Sequence, residues 1–188
     1  MKLTVIENNE NAIRFALEGT NFSFANALRR QMINNVGCLA IDSVTFYENS
    51  SAMFDEYIAH RIGMVPIKTP HDYDEKDEVV FSLSAEGPAI VYSKELVSTS
   101  KGVHIANEKI PRIKLADGQK LKVDGKAIFS TASKNSKFQP ALVTYKAIDD
   151  SKFEFYVETF GQMPPLEILK KALNIISTSL KEVNKEIK

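Results

Sequence analysis

Large apolar residues recur at every second position in Ile13, Phe15 and Leu17, with Ala12, Arg14, Ala16 and Glu18 between and around them. A period of two belongs to a half-buried strand. Residues 2–6 supply a partner strand, and Asn8, Asn9, Glu10 and Asn11 supply the turn between the two, with Gly19 ending the hairpin. The period then changes. Ala25, Leu28, Met32 and Val36 follow one another at steps of three and four, the apolar face of a helix that Asn21 or Ser23 can cap and that Gly37 closes. Residues 39–46 return to a strand. Residues 51–63 read as a compact capped helix with Asp55 and Glu56 in its first turn and His60 and Arg61 in its last, as the helix dipole prefers. Gly63 and Pro66 stop it.

From Val79 to about Phe138, turn signals are dense at Glu86-Gly87-Pro88, Ser100-Lys101-Gly102, Asp117-Gly118 and Asp124-Gly125, with short apolar runs between them. This predicts a β-rich module. A second hairpin follows, with Val143, Tyr145 and Ala147 on one strand and Phe153, Phe155 and Val157 on the other. Pro164 and Pro165 then open a closing helix. In it Leu166, Leu169, Leu173, Ile176, Leu180, Val183 and Ile187 form an unbroken heptad seam, widened in the first half by Ile168, Ala172 and Ile175. Such a helix, of about 22 residues and roughly 33 Å, outruns what a small sheet usually covers. Spacing alone leaves two readings open: a helix packed on its own core, and one that also packs on a partner subunit.

Composition narrows the function more by exclusion than by suggestion. The 188 residues carry 24 Lys/Arg and 24 Asp/Glu, so no general attraction to nucleic acid or membrane follows. The charge is unevenly placed, about −5 in residues 1–94 and +5 in residues 95–188. The single cysteine, Cys38, rules out an intrachain disulfide or a multi-cysteine metal cage and favours a reducing compartment. No apolar run approaches the roughly 20 residues of a membrane span, so a cytoplasmic location is expected. There is no phosphate-binding glycine loop, nucleophile elbow or helical H-E-x-x-H motif. Asp72, Asp74 and Asp77 have a faint divalent-cation spacing, without the glycine and distal glutamate of a calcium loop. A solvated loop explains them better. On spacing alone Arg29 and Arg30 are solvated helix residues, and His60 is a capping or packing histidine. Residues 24–66 have no catalytic constellation; they have the character of a surface held by another protein.

Several stretches, in order, carry a family signature. Asn26-Ala27-Leu28-Arg29-Arg30 is followed by Ala40-Ile41-Asp42-Ser43-Val44 and Asn49-Ser50-Ser51. Then comes the run from Asp55-Glu56-Tyr57 through His60-Arg61-Ile62-Gly63 to Pro66. Further matches are Val91-Tyr92-Ser93, Lys114-Leu115, Gly118-Gln119, and Val157-Glu158-Thr159 with Gly161 and Pro164. Together these resemble the D-type assembly subunit of archaeal DNA-directed RNA polymerases. That family includes the third-largest subunit of eukaryotic RNA polymerase II and, more distantly, the N-terminal domain of bacterial alpha. The resemblance spans essentially the whole chain. It departs at Gly37-Cys38, where relatives have Pro-Thr, and at residues 130–136, which differ from the family's glycine- and histidine-containing loop. Phe138 stands where relatives have tryptophan. The cluster-binding cysteines of many relatives are missing, so no metal or cofactor carries over.

The resemblance implies an α+β fold. An antiparallel sheet with two helices would form a dimerisation domain from residues 1–45 and 142–188, interrupted by a β-rich inserted domain at 46–141. It implies a subunit of a nucleotidyltransferase that contains no catalytic residue itself, the catalytic magnesium belonging to the largest subunit. A smaller L-like subunit would pair with the helices through Phe24, Leu28, Met32, Leu169, Leu173, Ile176, Leu180 and Val183. The second-largest subunit would be held by Asn26, Arg29, Arg30, His60 and Arg61, with other small assembly subunits nearby and DNA met only through the complex. Two rivals stay in view: an alpha-like homodimeric scaffold outside polymerase, and a small enzyme using the 70–78 loop with a divalent cation.

Overall fold

A computed structural model describes the chain except for residues 72, 74–77 and 188. The chain opens with β1 (Lys2–Asn8), β2 (Ala12–Glu18) and α1 (Phe22–Asn34). The middle holds β3 (Cys38–Asn49), α2 (Asp55–Gly63), β4 (Ile67–Lys68), β5 (Val79–Glu86) and β6 (Ala89–Tyr92). It continues through β7 (Val97–Ser98), β8 (His104–Ile105), β9 (Pro111–Leu115) and β10 (Lys120–Ser130). The close is β11 (Ala141–Asp149), β12 (Lys152–Thr159) and α3 (Pro165–Glu186). Antiparallel sheets with three helices make the class α+β. The chain divides into two compact units, Met1–Gly37 with Thr131–Lys188, and Cys38–Ser130.

In the discontinuous unit the strand order is β1-β2-β12-β11, every neighbour antiparallel. The register places Ile13 opposite Val157, Phe15 opposite Phe155 and Leu17 opposite Phe153, so both alternating runs turn the same face inward. The rings of Phe15 and Phe155 stack at 4.9 Å between centroids, and Tyr145 meets Phe155 from β11 at 5.3 Å. Both helices cover this face: α1 lies against β11 and α3, and α3 lies against β2 and β12. The edge of Phe22 stands on the Phe153 ring at the start of α1.

Local chemistry fixes the ends of these elements. The Asn9 side chain accepts from the amides of Asn11 and Ala12 and closes the first hairpin. Gly19, at φ +72°, leaves that hairpin through the left-handed region that only glycine enters cheaply. The Asn21 side chain accepts from the Phe24 amide at 3.0 Å and caps α1. The helix stops at Asn34, ahead of the expected Gly37, where the Asn34 carbonyl accepts from the Ser133 amide at 3.1 Å and not from a further helical turn.

In the other unit the sheet order is β3-β10-β5-β7, with α2 packed on β3 and β9, and two short ribbons formed by β4 with β8 and β6 with β9. Its core joins Leu39, Ile41, Ile58, Ile62, Phe81 and Val123, among others. β3 runs on past residue 46 to Asn49 and pairs along its length with β10. The whole strand therefore belongs to the middle unit, and the compact units meet at 37/38 and 130/131 rather than at 45/46 and 141/142. Helix α2 begins at Asp55, later than expected. Ser51 is used instead in the turn before it, donating to Asn49 Oδ1 at 2.6 Å and accepting from the Met53 amide.

Truncation of Phe155 to alanine removes one ring of the central stack in a face that cannot collapse around the hole. Phe155→Ala should destabilise the discontinuous unit by about 3–5 kcal/mol. Urea unfolding followed by circular dichroism, with exchange protection of β2 and β12 amides, measures it.

Candidate interaction surfaces

The first surface belongs to the discontinuous unit. Helix α3 uses its first half to hold the sheet: Ile168, Leu169 and Ala172 are buried, and Leu173, Ile175 and Ile176 are half-buried. Beyond them the seam continues with nothing of this unit over it. Leu180 is 64% exposed, Val183 58% and Ile187 75%. The wide apolar arc of the first half and the narrow seam of the second thus mark two different duties. Each of these three side chains, if covered, would contribute about 1.5–3 kcal/mol. Leu3 and Val5 on β1 are also exposed, although they stand opposite Leu17 and Phe15 on the inward face. The sheet edge lies outside what the helices cover.

On α1, Leu28 and Met32 are fully buried, Phe24 is half-buried, and Asn26 and Arg30 are exposed. The Arg29 guanidinium donates to Asn26 Oδ1 from Nη2 at 3.0 Å and Nε at 3.3 Å, which holds both side chains on the outer turn. Leu28, Met32 and Leu169 are thus spent inside the unit, where they fix the helices on the sheet. The outward apolar groups are Phe24, Leu173 and Ile176 in part, and Leu180 and Val183 fully.

The second surface lies in the Cys38–Ser130 unit, around the end of α2. Arg61 donates from Nε to the Arg112 carbonyl at 2.7 Å and from Nη2 to the Pro111 carbonyl at 2.8 Å. Arg112, itself buried, donates back to the carbonyls of Arg61 and Ile110. The two guanidiniums clasp α2 to β9. Burial, and then the neighbouring charge of Arg61, push the Arg112 guanidinium below its ordinary pKa. Beside this clasp is an open groove of about 660 Å³ lined by Ala52, Met53, Phe54, Tyr57, His60, Arg61, Ile113 and Lys114.

Asn26, Arg29 and Arg30 therefore belong to one unit, and His60 and Arg61 to the other. Spacing had not drawn attention to Arg112, Phe54, Tyr57, Ile113 or Lys114. The readable signal was a second stripe on α2: Phe54, Tyr57, Arg61 and Met64 at steps of three, four and three. Asp72, Asp74 and Asp77 lie outside the described residues. Among the described residues no group of three or more His, Cys, Asp or Glu is placed to hold a metal ion, and no helix is long and apolar enough to cross a membrane.

Arg61→Ala should lower the stability of this unit by about 1–3 kcal/mol, because two carbonyls lose a charged donor. Arg61→Lys should recover little of it, since an ammonium cannot copy the planar fork. Thermal unfolding of the three proteins tests this; a lysine variant as stable as the parent would contradict the clasp.

The comparisons with known proteins agree with this architecture. Residues 14–180 match the model of the RNA polymerase Rpb3/Rpb11 dimerisation domain. The DNA-directed RNA polymerase subunit Rpo3 of Pyrococcus furiosus is 39% identical over 194 aligned positions, which span 100% of this chain and 72% of the relative. Rpo3 of Methanocaldococcus jannaschii is 44% identical over 154 positions, covering 82% of this chain and 79% of the relative. Rpo3 of Thermococcus kodakarensis is 37% identical over 194 positions, covering 100% and 73%. With a fold of antiparallel sheets and helices and a family match over most of its length, the chain belongs to the RNA polymerase Rpb3/Rpb11 dimerisation-domain family.

Proposed function

We propose that this chain is a scaffold subunit of DNA-directed RNA polymerase, contributing to the nucleotidyltransferase by assembly rather than by chemistry. The discontinuous unit is the dimerisation domain, and Cys38–Ser130 is its insert. The domain pairs with a smaller L-like subunit across the outward face of α1 and α3. The pair then binds the second-largest subunit through Asn26, Arg29 and Arg30 on α1 and through His60 and Arg61 at the end of α2. Other small assembly subunits complete the contacts, DNA is reached only through the complex, and the setting is the cytoplasm. The observation that carries this reading is the run of Leu180, Val183 and Ile187, left 58–75% exposed along and just past the second half of a helix whose first half is packed on its own unit. An uncovered apolar seam of this kind marks an interaction face.

The double variant Leu180→Glu with Val183→Glu should leave this fold intact, because neither side chain is buried, and should weaken the heterodimer by about 100-fold or more. Circular dichroism of the variant reads the first, and light scattering with the purified L-like subunit reads the second. A stable homodimer that ignores the small subunit would replace the present reading with an alpha-like scaffold.

Arg30 is exposed, whereas Leu28 and Met32 on the same helix are fully buried. Arg30 also lies about 120° round α1 from Phe24, so Arg30→Ala should leave heterodimerisation unchanged and weaken capture of the second-largest subunit by roughly tenfold, the loss of one interfacial charge contact. Pull-down by the preformed heterodimer checks it. Loss of heterodimerisation instead would place Arg30 on the dimer face.

A further inference from the structure

Helix α2 is apolar on two sides. Ile58 and Ile62 turn into the core, whereas Phe54 and Tyr57 on the second stripe are 72% and 64% exposed. Their rings stand 6.3 Å apart at the mouth of the groove, with Ile113 of β9 also lining it. Two exposed aromatics beside one another, one turn from an arginine, are the residue types that dominate binding energy at protein interfaces. The groove volume also falls within the roughly 300–1,000 Å³ of clefts that hold ligands or side chains.

The charges that line the groove itself are positive: Arg61 and Lys114, with the His60 ring beside them and Arg112 behind. Among the described residues none of these four forms an ion pair with an Asp or Glu. Arg61 is nevertheless not loose: two carbonyls of β9 hold its guanidinium in place, so a partner would meet it already ordered. A positive wall beside an apolar slot asks for an acid next to an apolar group. A nucleic-acid strand would also meet cations and rings, but Asp55 and Glu56 are exposed in the first turn, between Phe54 and Tyr57 in sequence. These two carboxylates would repel a continuous phosphate backbone, while an isolated carboxylate can stay at the Arg61 end.

We propose that the groove between α2 and β9 seats an extended segment of a partner polypeptide, an apolar side chain between Phe54, Tyr57 and Ile113 and an adjacent carboxylate on Arg61 and Lys114. This rests on the scaffold reading above and specifies the chemistry of one of its contacts. The full chain carrying a photoreactive benzoylphenylalanine at position 57 is assembled into the whole complex, with the L-like, the two large and the other small assembly subunits, and irradiated. A crosslink to a polypeptide segment with an Asp or Glu beside the attachment point is expected. Lys114→Glu should reduce its yield by about fivefold or more, and replacing that partner acid by lysine should restore it. A complex that assembles without the crosslink overturns the groove assignment. So does a captured segment lacking an acid, a yield indifferent to Lys114→Glu, or capture of nucleic acid. Failure of the complex to assemble with the unmodified chain overturns the scaffold reading itself, and the groove assignment with it.

Discussion

The pairing of β2 with β12 is the constraint on which the rest depends. These strands come from opposite ends of the chain, and their register sets Phe15 on Phe155 and so defines the face that α1 and α3 cover. Bringing distant segments together costs loop-closure entropy that rises by about 0.6 kcal/mol for each doubling of length. The middle of the chain removes much of that length by folding. Its first and last residues, Cys38 and Ser130, are direct partners on β3 and β10. A folded insert thus hands the chain back one strand away from where it received it, at a separation of about 5 Å. A folded insert therefore lowers the entropic cost of closing the β2–β12 pair.

The second constraint is the length of α3. Its first half repeats the arrangement of any helix on a sheet, but its last turns have neither tertiary cover nor much local support. Lys181 and Lys185, and Glu182 and Glu186, place like charges four residues apart, and only Glu182 with Lys185 offers an attractive pair at three. Isolated helix ends of this kind are marginal in water. The apolar seam through them gains most when another surface covers it, so order at the end of α3 and association are one equilibrium viewed from two sides.

Much of the fold was legible because its signals are periodic. The alternation of Ile13, Phe15 and Leu17, the stripe of Ala25, Leu28 and Met32, and the seam of α3 each announce an element and the face it buries. What periodicity cannot state is what does the covering. Leu169 and Leu180 lie on the same seam, yet one is buried by this chain's own core and the other is exposed. Boundaries slipped where groups took another partner: Ser51 entered a turn with Asn49, and the Asn34 carbonyl went to the Ser133 amide in place of a further turn of α1. Spacing shows Arg61 only as a helix-end cation, and the family resemblance only as a contact residue. Its partners are carbonyls fifty residues onward, and no local spacing encodes such a contact.

That contact also explains how a dipole-friendly cation becomes a fixed feature of a surface. Two guanidiniums held close together would ordinarily repel, and each would seek a carboxylate. Here backbone carbonyls take two donors of each guanidinium, so both groups are anchored while neither forms an ion pair with a carboxylate among the described residues. Burial first, and the nearby Arg61 charge second, lower the Arg112 pKa, and its guanidinium nevertheless stays charged because arginine starts so high. Hydrogen bonding and charge are thereby separated. The clasp serves the fold through the first, and the charge remains on the groove for whatever binds there.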